Sequence, residues 1–188
     1  YPVHVIHNGI DTSKFFNISS DFREAHGLEN KFLLLGVATA WDEIKGLSDY
    51  IKLADELGND YKVILVGLTK KQKDNLPKNI FGIERTNSIE ELVKIYSAAD
   101  LYVNFSYCEN YPGVNLESIA CGTPVLTYDS GGSPESALNG IVIHKGDIKA
   151  AIKEIKLYRN NHKDKPEIFI NREEIDKSET VKQYLQLC

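Results

Sequence analysis

Residues 108 to 125 read Cys108-Glu109-Asn110-Tyr111-Pro112-Gly113-Val114-Asn115-Leu116-Glu117-Ser118-Ile119-Ala120-Cys121-Gly122-Thr123-Pro124-Val125. They follow the apolar run Leu101 to Phe105 and lead into a second one, Pro124 to Tyr128. The reading is strand, loop, helix over 114–121, strand. Two glutamates stand at the ends of the loop-to-helix passage. Glu109 lies in the loop, where it can accept hydrogen bonds from sugar hydroxyls, and Glu117 lies about a turn into the helix, where it can hold a ribose diol. Between them the unpaired N–H groups of the first turn, at Gly113, Val114 and Asn115, are suited with the helix dipole to receive an anion such as a diphosphate.

Working outward, apolar strand-like runs alternate with helical ones. Strands are expected at Lys31–Gly36, Tyr61–Gly67, Asn79–Gly82, Leu101–Phe105, Pro124–Tyr128 and Ile141–Ile143, and helices at Leu47–Leu57, Lys70–Leu76, Ile89–Ala98, Val114–Cys121 and Ile148–Tyr158. Strands without polar alternation, separated by helices, imply a parallel sheet covered on both faces: a doubly wound, Rossmann-like α/β domain. Ligands in such sheets bind beyond the carboxyl ends of the strands. Each chemically suggestive segment follows a strand: Gly36–Lys45, Gly67, Gly82–Arg85, Ser106–Gly113 and Asp129–Ser133. One cleft is therefore expected.

The blocks, taken in order, resemble the E-x7-E signature of retaining glycosyltransferases of family 4, with the GT-B fold. They are Asn8-Gly9-Ile10-Asp11, Lys45-Gly46, Ser97-Ala98-Ala99-Asp100, Glu109 to Glu117, Ala120-Cys121-Gly122-Thr123-Pro124-Val125 and Gly131-Gly132-Ser133-Pro134-Glu135. Trp41 to Leu47 and Asn115-Leu116-Glu117 are most similar to the variants found in bacterial enzymes of surface-polysaccharide synthesis. The resemblance covers the C-terminal, donor-binding lobe. It implies residues 1–16 as interdomain connection and first strand, 17–160 as the nucleotide-sugar-binding domain, and 161–188 as C-terminal connection and crossover helix. The implied partners are a UDP-, GDP- or ADP-sugar and an N-terminal acceptor-binding lobe. The implied location is cytoplasmic, with peripheral contact at the inner membrane face in the full-length enzyme.

The resemblance also assigns roles. Lys45 binds the distal phosphate and stabilises the departing nucleoside diphosphate, so Lys45 and Glu109 carry the chemistry, while Gly113, Val114, Asn115 and Glu117 hold the nucleotide. The loop at Ile83 and Arg85 lies along the base. The family places an arginine five positions before this lysine, and Ala40 stands there instead. That removes a bidentate partner for the diphosphate; Arg85 is the nearest substitute by topology, and Thr39 offers a hydroxyl. Two rival readings remain: a non-catalytic nucleotide-sugar binding module, which the lost arginine favours, and a GT-B-fold nucleotide-sugar epimerase.

Plainer alternatives stand beside several of these residues. Lys45 is otherwise a solvated lysine at a helix start, Glu117 a solvated helix-face residue, and Glu109 a cap for the following helix. Gly131-Gly132 serves a tight turn or a close approach to the donor sugar, either of which needs residues without a Cβ. Trp41 either stacks in the cleft or covers the sheet edge. Cys108 and Cys121 are expected to pack, and His7 is the histidine nearest a functional block.

Composition sets limits. At 188 residues the chain suits one domain of the usual size of about 100–200 residues. With Tyr1 first and no methionine, it is expected to be a piece of a longer protein, inactive in transfer on its own. The net charge of −5 and the lack of a basic run argue against nucleic acid. No stretch approaches the roughly 18–20 apolar residues of a membrane span. Three cysteines, at 108, 121 and 188, have no metal-ligand spacing, and no Asp-x-Asp pair offers a divalent cation site, in keeping with the metal-independent habit of GT-B enzymes. No cofactor is expected. The tail Asn171–Leu187 reads as an amphipathic helix that either packs on this sheet or crosses to the other lobe.

Overall fold

The computed structural model describes residues 3–162 and 170–187. In chain order the elements are α1 (Phe22–His26), β1 (Phe32–Val37), α2 (Leu47–Glu56), β2 (Tyr61–Val66), α3 (Lys70–Asp74), β3 (Ile80–Ile83) and α4 (Ile89–Ala98). There follow β4 (Leu101–Asn104), α5 (Gly113–Ala120), β5 (Val125–Tyr128), α6 (Ser133–Ser136), β6 (Ile141–Ile143), α7 (Ile148–Asn161) and α8 (Lys177–Leu185). The six strands form one sheet in the order β3-β2-β1-β4-β5-β6, and every pairing is parallel. The order reverses between β1 and β4, which opens a crevice at their carboxyl ends.

Alternation along each strand builds two cores. Leu33 and Leu35 of β1 point to the side of Tyr96, Leu116 and Ile119 on α4 and α5. Leu34 points to the other side, with Tyr50 and Leu53 of α2 and Ile152 and Ile155 of α7. All three leucines are fully buried, which accounts for the unbroken apolar run in the sequence. Asp100 ties the sheet's lower edge together: its carboxylate accepts from Arg23 at 2.7 Å and from the Leu33 N–H at 2.6 Å.

Several expectations need correction. Residues 3–16 contain no strand; Ile10 makes only an isolated bridge to Asp176, and β1 is the first strand of the sheet. The short helix α1 has too few residues to show a period, and it ends on Gly27 in the left-handed region, φ 63°. Helix α7 continues through Asn161, past the end expected at Tyr158; residues 163–169 lie outside the described residues, as does Cys188. Trp41 is a core residue whose Nε1 donates to the Val66 carbonyl at 2.9 Å and whose ring meets Tyr50 edge-on. Cys108 is exposed, while Cys121 is buried as expected.

The tail also differs. Its helix is confined to Lys177–Leu185 and buries no residue. What packs on the domain is the turn before it. Ile175 is in the core, Ile10 N–H donates to the Ile175 carbonyl at 2.8 Å, and Lys177 N–H donates to the Ile10 carbonyl at 2.8 Å. A Cβ on Gly9 would come within 2.6 Å of the Asp176 carbonyl, so the Asn8-Gly9-Ile10-Asp11 block is shaped by this strap.

Candidate active site

Three loops meet at the crevice, and glycines set how closely they approach. After β1, the turn before α2 is closed by Asp42, whose carboxylate accepts the Lys45 N–H at 2.8 Å. Gly46 follows with φ +72°, and a Cβ there would lie 2.3 Å from the Phe105 carbonyl. The Tyr107 N–H donates to the Ile44 carbonyl at 2.8 Å. The turn carrying Lys45 therefore sits directly on the segment leaving β4.

The loop carrying Glu109 is held from its other side by the turn after β5. A Cβ on Gly131, φ +53°, would lie 1.8 Å from the Glu109 carbonyl, and one on Gly132 would lie 2.0 Å from that of Asn110. Gly132 N–H donates to that same Asn110 carbonyl at 2.8 Å. The glycine pair thus seats the Glu109 loop. Clamped between the two turns, Glu109 Oε1 meets Lys45 Nζ at 2.6 Å, with 13% of the Glu109 side chain and 36% of the Lys45 side chain exposed. The pair is partly open to solvent and contributes at most about 1 kcal/mol, so a phosphate can replace Glu109 as the partner of Lys45 at little cost.

Helix α5 starts at Gly113 behind Pro112, which supplies no side-chain cap. The helix itself offers no partner to the N–H groups of Gly113 and Val114. Asn115 departs from expectation. Its N–H donates to the Pro112 carbonyl at 3.2 Å, and its buried amide accepts from Asn104 at 3.0 Å and donates to Ser136 at 2.9 Å. Asn115 therefore locks α5 to β4 and α6 rather than presenting a free donor.

Glu117 lies one turn further, about 6 Å along the axis. Its Oε2 accepts from the Tyr96 hydroxyl at 2.9 Å. Burial pushes the Glu117 carboxyl up, and the Tyr96 hydrogen bond pulls it part of the way back. Burial also drives the Tyr102 phenol well above its ordinary value, with the charges of Tyr50, Glu117 and Glu109 adding to the rise. Tyr102, whose hydroxyl donates to the Val37 carbonyl at the end of β1 at 3.3 Å, thus lies within electrostatic reach of both acids. The structure brings Lys45, Glu109, the start of α5 and Glu117 to the crevice between β1 and β4.

Ile83 and Arg85 stand apart. Ile83 ends the edge strand β3, and its carbonyl already accepts from Gly67 N–H at 3.0 Å and Leu68 N–H at 3.2 Å, so it is not free to read a base edge. Arg85 is exposed beside a surface cavity of about 480 Å³ lined by Thr86 to Ile89 and Leu92. Three strand spacings separate β3 from β4, or about 14 Å. Arg85 makes no contact with the Lys45–Glu109 pair and does not replace the guanidinium absent at Ala40. Thr39 is exposed in the loop after β1.

Sequence reading missed several supports of this region. Tyr96 and Tyr102 were legible only as core aromatics. Asp49, in a helix that reads as ordinarily amphipathic, is buried and accepts from Tyr107 at 2.6 Å, Tyr128 at 2.8 Å and Lys52 at 2.9 Å. Burial opposes its charge, but those hydrogen bonds outweigh burial and hold its pKa below the usual range. His7 stacks on Tyr111 with ring centroids 4.1 Å apart and lies 3.2 Å from Glu135. It thereby joins the N-terminal segment to the loop between the two acids. Among the described residues there is no group of three His, Cys, Asp or Glu side chains placed to hold a metal ion. No helix among them is long and apolar enough to cross a membrane.

Fold and crevice together define one lobe of a GT-B-type glycosyltransferase. Residues 19–175 match the family model for glycosyl transferases group 1, and the chain belongs to that family. It is 28% identical over 152 residues to D-inositol 3-phosphate glycosyltransferase of Mycobacterium sp. (strain JLS), covering 74% of this chain and 34% of the relative. It is 31% identical over 157 residues to alpha-maltose-1-phosphate synthase of Mycobacterium tuberculosis (strain CDC 1551 / Oshkosh), covering 74% of this chain and 40% of that one. The fold matches Anabaena Alr3699/HepE, solved in complex with UDP-glucose, with a TM-score of 0.80 at 21% identity, over 98% of this chain and 56% of that one. The chain thus spans well under half the length of these curated relatives.

Proposed function

We propose that the chain is the donor-binding domain of a retaining glycosyltransferase that moves a sugar from a nucleoside diphosphate sugar to an acceptor hydroxyl in surface-polysaccharide synthesis. The full-length enzyme works in the cytoplasm, with peripheral contact at the inner membrane face. The observation that carries the reading is the 2.6 Å Lys45–Glu109 contact at the open start of α5, with Glu117 one turn in. The bond between the anomeric carbon and the diphosphate oxygen breaks with its electron pair going to the diphosphate. Lys45 and the N–H groups of Gly113 and Val114 stabilise that growing charge. Glu109, once Lys45 moves to the phosphate, accepts from the sugar hydroxyls, and Glu117 accepts from the ribose diol.

Gly113 adds support. A Cβ there would meet no protein atom nearer than 3.8 Å, so packing does not require glycine, whereas a phosphate lying against the helix start does. The β3 end of the crevice takes the base, about 14 Å from the acids, with Arg85 contributing its side chain and Thr39 a hydroxyl between the two ends. The solved Anabaena neighbour carries UDP-glucose, which favours a UDP-sugar among the UDP, GDP and ADP alternatives.

Isothermal titration of UDP, GDP and ADP tests the site. One of them should bind, Glu117→Ala should abolish that binding, and Lys45→Ala should weaken it about tenfold or more, as expected for loss of a charge-assisted contact. Equal affinity in all three proteins would refute the assignment.

A further inference from the structure

Tyr96 is fully buried and fixed at both ends. Its backbone carbonyl accepts from Thr123 Oγ1 at 2.6 Å, and its ring packs against Phe15 and Tyr102. Its hydroxyl therefore has one place to go, which is Glu117 Oε2 at 2.9 Å. Among the described residues Glu117 Oε1 accepts no hydrogen bond. A glutamate left to itself samples several rotamers, and a diol is held well only by a carboxylate already in position. A phenol rooted in the core removes that freedom from inside the protein and leaves one carboxylate oxygen for the ligand.

We infer that Tyr96 is a positioning residue that orients the Glu117 carboxylate for a ribose diol. The inference rests on the ribose reading of Glu117. The ionisable groups facing the Tyr96–Glu117 pair are Tyr102 from β4, which feels both Glu117 and the Lys45-paired Glu109, and Cys121, just past the end of α5, which acts on Tyr96. Strand β5 adds only Tyr128, which packs on the opposite face, and Glu135 of α6 is engaged by His7. Burial and the Tyr96 hydroxyl act on Glu117 in opposite directions. Removing the hydroxyl leaves burial unopposed, so the carboxyl takes up a proton at higher pH and ribose binding is lost from higher pH downward.

The test is isothermal titration of UDP, GDP and ADP, and of the 2′-deoxy counterpart of whichever binds tightest, from pH 5 to 8.5. It compares wild type, Tyr96→Phe and Glu117→Ala, with circular dichroism confirming that each is folded. Tyr96→Phe should weaken the ribonucleotide about tenfold near neutral pH, shift the acid loss of binding upward by about one pH unit, and narrow the preference for ribose over 2′-deoxyribose. Both the ratio and the midpoint are independent of the fraction of folded protein. The inference is overturned if Tyr96→Phe keeps the wild-type midpoint and ribose preference while Glu117→Ala abolishes binding. If Glu117→Ala binds as wild type does, the ribose reading itself fails and the inference with it.

Discussion

On the proposed function, Glu117 is a side chain kept for a ligand at some expense to the fold. Its carboxyl is raised mainly by burial, and a group whose folded pKa lies above its unfolded value contributes stability that is full below the unfolded pKa and is lost as pH rises through the folded one. At neutral pH the ionised Glu117 therefore weighs against folding. Glu117→Gln should melt at the same temperature as wild type or a few degrees higher at pH 7.5, a gain of about 0.5–1 kcal/mol, while losing nucleotide binding. A clear fall in melting temperature would show that the charge is structural. The positions of the two acids and Lys45 beyond the strand ends were legible from the order of strands and helices, while the roles proposed for them came from the family resemblance. Asn115 was not, because its buried amide answers to Asn104 and Ser136, which belong to other elements. Tyr96 was hidden for the same reason: a hydroxyl's partner across two helices leaves no period in the chain.

At the level of elements, the site depends on loops seated by glycine. Gly131→Ala would drive a methyl into the Glu109 carbonyl, 1.8 Å from the ideal Cβ position, in a left-handed conformation that alanine resists. It should cost about 1–3 kcal/mol in denaturant unfolding and weaken nucleotide binding as the Glu109 loop shifts. Unchanged stability would mean the turn is not seated as described. The strands and the longer helices were readable to within a few residues because both faces of the sheet are covered, so the apolar runs are continuous. The short α1 and the strap at residues 175–177 were not. Each is fixed by contacts from sequence-distant residues, Asp100 with Arg23 in one case and Ile10 in the other.

The whole molecule is a two-core domain closed by a strap, with an apolar helix face beyond it. Ile175 is 6% exposed, whereas Val181 and Leu185 on α8 are 55% and 69% exposed. Ile175→Ala should therefore destabilise the domain by about 2–4 kcal/mol, and Leu185→Ser should change its stability by less than about 0.5 kcal/mol. Equal effects from the two in thermal melts would show that α8 packs on the domain after all. Between the two readings of the tail, packing on this sheet or crossing to another lobe, the sequence could not choose, because amphipathicity shows that a face will be buried without showing against what; α8 buries no residue on this sheet. Doubly wound topology, by contrast, needs only the order of strands and helices, and it carried the crevice with it. The most direct measurement is a crystal structure of the chain with the nucleoside diphosphate it binds tightest. The account predicts diphosphate oxygens about 3 Å from the Gly113 and Val114 N–H groups, Lys45 turned from Glu109 to the phosphate, and the ribose on Glu117. A nucleotide bound elsewhere, with the Lys45–Glu109 pair intact and Glu117 untouched, would contradict it.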